Sequence, residues 1–332
     1  VVREQYLETP ASPPVPPIDW KQAYVLAPGV RVVLRGPTTV QVGLEPPRSV
    51  LVHDAPPGAD DVLRRLDGRI PLEAAIRGRQ SPLILWDAML RGLVEAGLVI
   101  RTTEPVRHPP HLLAVRVALV HRHGSAMADV ILTRRTDSLV VVDGAGEVAP
   151  MIAELLVASG VGQVHLRAGR RPGSRVPTSR ALVRTQDPAP QLAPSVVVLA
   201  DDAAHNRITA AHLLFELIPH LPVLTGASRA VAGPLVLPGR SACLACLDRR
   251  RQEADPGWPT IADALRTDGP GPPPLLAAAA SVLAAEQVLD HIDGVDRPRT
   301  VDATLEWRTG SPTARRRSWT PHPDCPCQEG VR

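Results

Sequence analysis

Four cysteines in two tight pairs constrain this chain more than any other feature. Cys243-Leu-Ala-Cys246 and Cys325-Pro-Cys327 are its only cysteines. Four thiolates are what a closed tetrahedral zinc site takes, and a C-x-x-C turn can chelate metal by itself. The C-x-C spacing is tighter, but Pro326 fixes a bend that can turn both sulfurs inward. A site built from both pairs staples the tail to a segment some 80 positions earlier. It leaves no open coordination position, so a zinc there is structural. Ordinary buried thiols, or a redox C-x-x-C, are the alternatives. His322 could replace one ligand but reads as a surface residue. The pattern suits a reducing compartment, and cytoplasm is expected.

The 332 residues suffice for two or three domains, and 44% are hydrophobic, enough for a sizeable core. With one Phe and two Tyr, Ala, Val and Leu must fill that core. The formal charge of +3 and the missing stacking platforms argue against a nucleic-acid binder. Lys21 is the only lysine; the other basic side chains are arginine. No uncharged apolar stretch of about 18 residues suggests a membrane span, and no signal-peptide pattern opens the sequence.

Residues 1–18 are Pro-rich and read as an extended arm. A compact module is expected over 19–104. Val30–Leu34 and Thr38–Leu44 read as a hairpin around Gly36-Pro37, and Ser49–His53 as a third strand. Asp60–Leu66 and Leu72–Arg77 read as short helices. Ser81-Pro82 reads as an N-cap Ser with Pro in the first turn of a third helix, which runs to Gly97. Leu98–Arg101 returns as a strand. After a linker over 102–112, a second module is expected over 113–332. Apolar strands at 138–142, 164–166, 195–200 and 222–225 alternate with helices, as in a doubly wound α/β sheet. Leu275–Ile292 reads as an Ala-rich helix, and 299–306 with 315–319 as a strand pair.

Gly144-Ala-Gly146-Glu-Val-Ala149 follows a strand and opens a helix, the setting of a dinucleotide fingerprint. The same turn also occurs in this fold with nothing bound. Glu147 stands in the helix's first turn, where phosphate would be greeted. The ribose-binding acid expected about 20 residues on is replaced by Arg167 and its neighbours. Those arginines could take a 2′-phosphate, which keeps NADP in view. Asp201 and Asp202 could hold magnesium after their strand, or be solvated loop acids. His205 and His212 read as ordinary helix residues.

Together these residues resemble a known group. Val140-Val-Val-Asp-Gly-Ala-Gly146, Val161-Gly-Gln-Val-His-Leu166, the C-x-x-C and the terminal His-Pro-Asp-Cys-Pro-Cys327 resemble ThiF/MoeB-type adenylating folds. Pro234-Leu-Val-Leu-Pro-Gly-Arg-Ser-Ala-Cys-Leu-Ala-Cys-Leu247 is closer to the ThiF-like F proteins of azole-forming peptide (TOMM) pathways. Leu26-Ala-Pro-Gly-Val-Arg31, Leu66-Asp-Gly68 and Gly92-Leu-Val-Glu-Ala-Gly-Leu98 resemble a PqqD-like RiPP recognition element, a winged-helix fold. The resemblance implies a winged-helix module followed by a ThiF/MoeB-like α/β domain with structural zinc. It implies a leader-peptide groove at the third strand and third helix: Ser49, Val50, Leu51, Val52 and His53 with Leu85, Trp86, Met89 and Leu90.

The division of labour in that family sets the main functional expectation. The chain would hold a precursor's leader for a YcaO-type cyclodehydratase that forms azolines or azoles, as in thiopeptide biosynthesis. It would have no catalysis of its own, and ATP would be an unlikely ligand. Gly144, Gly146 and Asp202 would be a vestigial nucleotide site, because the ribose acid, a domain lysine and a free thiol are missing. The alternatives are an active ATP-dependent adenylating enzyme acting on a peptide carboxylate and an NADP-dependent oxidoreductase. A homodimer is a further expectation, because ThiF-type proteins often dimerise.

Overall fold

The computed structural model describes residues 17–46, 49–101, 109–144, 146–167, 183–184, 193–200, 203–264 and 271–328. Apart from Pro17 and Ile18, the Pro-rich arm lies outside them. The chain divides into two compact units between Thr133 and Arg134.

The first unit has β1 (Ala23–Leu26), β2 (Val32–Gly36), β3 (Thr39–Val42), β4 (Val50–Val52), α1 (Ala59–Arg64) and β5 (Asp67–Pro71). It continues with α2 (Leu72–Ala75), α3 (Leu83–Glu95), β6 (Val99–Arg101), α4 (Leu113–His123) and α5 (Ser125–Asp137), the last spanning the division. Strands β2, β3 and β4 form an antiparallel sheet in that order, with Val40 opposite Val52 and Val42 opposite Val50. Val32, Val40 and Val42 turn inward. They meet Ala59, Val62 and Leu63 of α1 and Trp86, Met89, Leu90 and Leu93 of α3 in one core. The α3 residues recur at i, i+3, i+4 and i+7, a single helical stripe.

Three features differ from the sequence reading. A second sheet, β5-β1-β6, stands beside the first. Asp67-Gly68-Arg69-Ile70-Pro71 carries Asp, Gly and Pro, which strands disfavour; it is a strand because it is an edge paired with β1. The N-cap of α3 is Pro82, with no side-chain cap bond, so Ser81 does not cap it. Helices α4 and α5 precede the first strand of the large sheet, where no helix was expected.

The second unit contains β7 (Leu139–Asp143), α6 (Val148–Ala158), β8 (Gln163–Arg167), β9 (Val183–Arg184), β10 (Val196–Ala200), α7 (Ala203–Phe215) and β11 (His220–Thr225). It continues with β12 (Arg229–Ala232), α8 (Leu244–Ala254), α9 (Trp258–Ala264), α10 (Pro274–Asp293), β13 (Ala303–Arg308) and β14 (Arg315–Ser318). The sheet runs β14-β13-β12-β11-β10-β7-β8-β9. It is parallel from β11 to β9 and antiparallel from β11 to β14.

One sheet face carries Val140, Val142, Val196, Val198, Leu221 and Val223 against α6 and α10. Val141, Val197 and Leu199 on the other face meet Ala210 and Leu213 of α7 and Leu244 of α8. Strands buried on both faces read as unbroken apolar runs, which is why the sequence revealed β7 and β10 so plainly. Among the described residues, α10 is the one helix long and apolar enough to cross a membrane. Here it is a core helix, burying Leu276, Ala277, Ala280, Ala284, Ala285 and Val288. Its C-terminal Asp293 accepts both arms of the Arg135 guanidinium, Nε–Oδ1 2.7 Å and Nη2–Oδ2 2.6 Å, in a buried pair.

Candidate functional site

The strand order reverses at β7: β8 lies on one side of it and β10 on the other. In open α/β sheets ligands bind in the crevice outside the carboxyl ends at such a switch point. Gly144 occupies it. Its N–H donates to the Arg167 carbonyl (3.0 Å) at the end of β8. A Cβ at Gly144 would run into the carbonyl of Ala200, the last residue of β10. Gly146 has φ 103°, a left-handed conformation that favours glycine. Both glycines are therefore fixed by backbone geometry at the head of α6.

Glu147 was expected to occupy the positive end of that helix. It stands at the N-cap position with an exposed side chain and makes no cap bond. The first N–H groups of α6 are thus not consumed by its carboxylate. Asp201 and Asp202, next in sequence after β10, lie outside the described residues, as do the side chains of His205 and Asn206. His212 is exposed on α7.

The four cysteines come together although they are distant in sequence. All four sulfurs lie within 4.8 Å of one another, and all four residues are buried. Cys243 Sγ is 3.7 Å from both Cys246 and Cys325, and Cys246 is 3.4 Å from Cys327. Four sulfurs about 2.3 Å from a zinc stand about 3.8 Å apart in a tetrahedron. The donor set and its spacing fit that metal. A hydrogen bond from Cys243 pulls the Cys246 thiol down, and the same contact pushes Cys243 up. Pro326 is exposed, and Val236, Leu247 and Trp319 surround the sulfurs.

His322 is buried rather than a surface residue. Its Nδ1 accepts the Asp324 N–H (3.1 Å), which places the ring proton on Nε2, 2.8 Å from Glu253 Oε1. It therefore braces the tail beside the cysteines.

A third arrangement was not anticipated. Asp248 on α8 accepts Arg207 Nε (2.6 Å), Arg207 Nη2 (3.0 Å) and Trp258 Nε1 (3.0 Å). Arg251, one turn on, lies 3.7 Å from the same carboxylate. Its guanidinium sits over the rings of Trp258 and Trp319, at 4.6 and 5.2 Å. Burial holds the Arg251 pKa below its usual value; Asp248 opposes this, and Arg317, Arg207 and Arg229 reinforce it. A cavity of about 40 Å³ opens there between Arg207, Leu224, Val231, Asp248, Arg251 and Thr304. The available signal was the run Asp248-Arg-Arg-Arg251 straight after the C-x-x-C, with two of only five tryptophans nearby in the fold.

In the first unit, β4 is an edge of its sheet, with Leu51 and His53 exposed and Ser49, Val50 and Val52 half-buried. Ser49 is tied down by Gln41 Nε2 (3.1 Å) and donates to the Gly43 carbonyl (3.1 Å). On α3, Trp86, Met89 and Leu90 face the core, and Trp86 is fully buried. The exposed apolar residues are Leu83, Ile84 and Leu85, one turn earlier.

No family model matches the chain, and no curated protein does. Solved structures do. E. coli MccB with ATP is 14% identical, with a TM-score of 0.62 over 92% of this chain and 99% of that one. The microcin C7 biosynthetic enzyme MccB in complex with N-formylated MccA gives the same identity, coverage and score. A heterocyclase in complex with substrate and cofactor is 13% identical, with a TM-score of 0.59 over 93% of this chain and 40% of that one. The fold is ThiF/MoeB-like.

These findings correct the main functional expectation. The fold matches nearly the whole length of MccB, a biosynthetic enzyme solved with ATP and with MccA. A non-catalytic presenter for a YcaO-type cyclodehydratase, in a thiopeptide or TOMM setting with ATP an unlikely ligand, is set aside on that ground. The absent ribose acid and domain lysine do not by themselves exclude ATP. Arginine can supply the charge that lysine does, and Glu147 leaves the head of α6 uncapped.

Proposed function

We propose that this chain is an ATP-dependent adenylating enzyme acting on the carboxylate of a peptide. The observation that carries this reading is the close approach of Gly144 to the Ala200 carbonyl at the switch point of the sheet. It lies at a helix start with no side-chain cap, in a fold shared over 92% of this chain with the ATP-bound and MccA-bound MccB structures.

A peptide carboxylate oxygen attacks the α-phosphorus of ATP. The bond from that phosphorus to the bridging oxygen breaks, and pyrophosphate leaves with the electron pair, giving an acyl adenylate. The protein's part is positioning and charge. The N–H groups that open α6 face the phosphates, and Gly144 and Gly146 let backbone approach them. Asp202, two residues after β10 in sequence, would hold magnesium, and Arg167 at the end of β8 would supply positive charge. The four cysteines would hold a structural zinc, tying α8 to the tail.

The first unit, read as a PqqD-like winged-helix element, holds the peptide. An extended segment adds along Ser49–His53 through backbone hydrogen bonds. Leu51, with Leu85 at the exposed start of α3, meets its side chains, while Trp86, Met89 and Leu90 hold α3 in the core beneath. ATP–pyrophosphate exchange that needs both this protein and a peptide tests the reading. Exchange abolished by Asp202→Ala supports it; no exchange with any peptide that binds the chain overturns it.

A further inference from the structure

The antiparallel end of the large sheet carries more positive charge than the fold explains. Val231 and Thr304 line the cavity beside Arg251. Side chains alternate across a strand, so Arg229, Glu306 and Arg308 share their face. The register sets Arg317 beside Thr304 and Arg315 beside Glu306. Arg229 and Arg308 stand directly opposite each other, a cross-strand pair of like charges. Among the described residues, the carboxylates near these cations are already engaged: Asp302 accepts the Ala242 N–H and pairs with Arg297. Asp248 is occupied by Arg207, Arg251 and Trp258, and Glu306 accepts the Thr304 hydroxyl (3.4 Å). Among the described residues, Arg229, Arg308, Arg315 and Arg317 form no ion pair.

Among the described residues, the same face ends in an open edge. Strand β14 is last in the sheet order, and all four of its residues are exposed. The Trp319 N–H donates to the Asp302 carbonyl (2.8 Å), which makes 302/319 a hydrogen-bonded pair. Antiparallel pairs alternate. Arg317 and Arg315 therefore bond inward to β13, and the backbone groups of Arg316 and Ser318 point outward. A strand added there would set alternate side chains beside Arg315 and Arg317.

We propose that this edge and face dock an extended acidic segment of the peptide substrate, with carboxylates two residues apart against Arg315 and Arg317. That the segment belongs to the substrate rests on the adenylation reading; the surface itself does not. A peptide suits the site better than a nucleic acid. Outward backbone groups offer strand pairing, and arginines already cover the rings of Trp258 and Trp319.

The test uses the full chain and a short fluorescein-labelled peptide of alternating Thr and Glu, followed by fluorescence anisotropy. Saturable binding that weakens at least about tenfold in Arg315→Glu/Arg317→Glu, and also weakens in Arg308→Glu, supports the proposal. Arg240→Glu, an exposed arginine elsewhere in the unit, should bind as the parent does. Unchanged binding by the double variant overturns it and leaves the arginines as guards against edge-to-edge pairing. Equal displacement by oligothymidylate overturns it in favour of a general polyanion surface. Unchanged binding of a peptide N-methylated at alternate residues removes the strand addition. Exchange assays on the same preparation separate the two readings: binding without exchange sinks adenylation alone, and exchange without this binding sinks the docking surface alone.

Discussion

Gly144 lies against the carbonyl of Ala200, so β7 and β10 close at their carboxyl ends with no space for a Cβ. Gly144→Ala should therefore force the two strand ends apart, costing about 1–3 kcal/mol of stability. It should also reduce pyrophosphate exchange. Gly146→Ala acts through its φ of 103° rather than through a clash, and should cost about 1–2 kcal/mol. Denaturant midpoints of both variants check this; a Gly144→Ala midpoint equal to the parent's would refute the close approach.

The sulfur spacing around Cys243, Cys246, Cys325 and Cys327 leads to a metal prediction. Protein purified without chelator should contain one zinc per four-cysteine cluster by elemental analysis. Cys246→Ser should lose it and lose soluble yield, because binding free energy at such a site is folding free energy. Chelation should loosen the tail, read as faster amide exchange around His322 and Trp319. A chain that retains no metal and keeps its melting temperature in strong chelator would contradict the assignment.

His220 is buried at the start of β11, with Nδ1 3.0 Å from the Ile218 carbonyl. Burial lowers its pKa to about 4, against about 6.5 when unfolded. The folded state resists the proton, so His220 takes nothing from stability above pH 6.5. As pH falls from there to about 4 the unfolded chain gains a proton first, and about 3 kcal/mol is lost. Unfolding curves across that window should be flatter in His220→Gln than in the parent. An identical pH slope in the two proteins would show that another group is responsible.

How much could be read in advance depended on where the determining contact lay. Local periodicity exposed α3 and α10, and unbroken apolar runs exposed β7 and β10. Strand β5 was hidden because its Asp, Gly and Pro are wrong for a strand in isolation, and only pairing with β1 makes it one. The cysteine pairs announced their meeting because few arrangements satisfy four thiols. Arg207, Asp248 and Trp258 did not, since a carboxylate with two donors from other helices leaves no spacing signature. The family resemblance implies a groove lined by Trp86, yet the indole is fully buried. Its burial follows from lying on the Met89, Leu90 and Leu93 side of α3, while Leu83, Ile84 and Leu85 carry the exposed surface. The larger misreading concerned function. The missing domain lysine and the carboxylate at the head of α6 suggest a vestigial site, but the sequence alone does not show that the Glu147 side chain is exposed and makes no cap bond.

Pyrophosphate exchange is the most direct measure of the central claim. Purified full-length protein, magnesium, ATP and labelled pyrophosphate should return label to ATP only when a bound peptide with a free carboxylate is present. Asp202→Ala should remove that exchange while leaving peptide binding intact. Exchange that is absent with every bound peptide, or that persists undiminished in Asp202→Ala and Gly144→Ala, would contradict adenylation at this crevice.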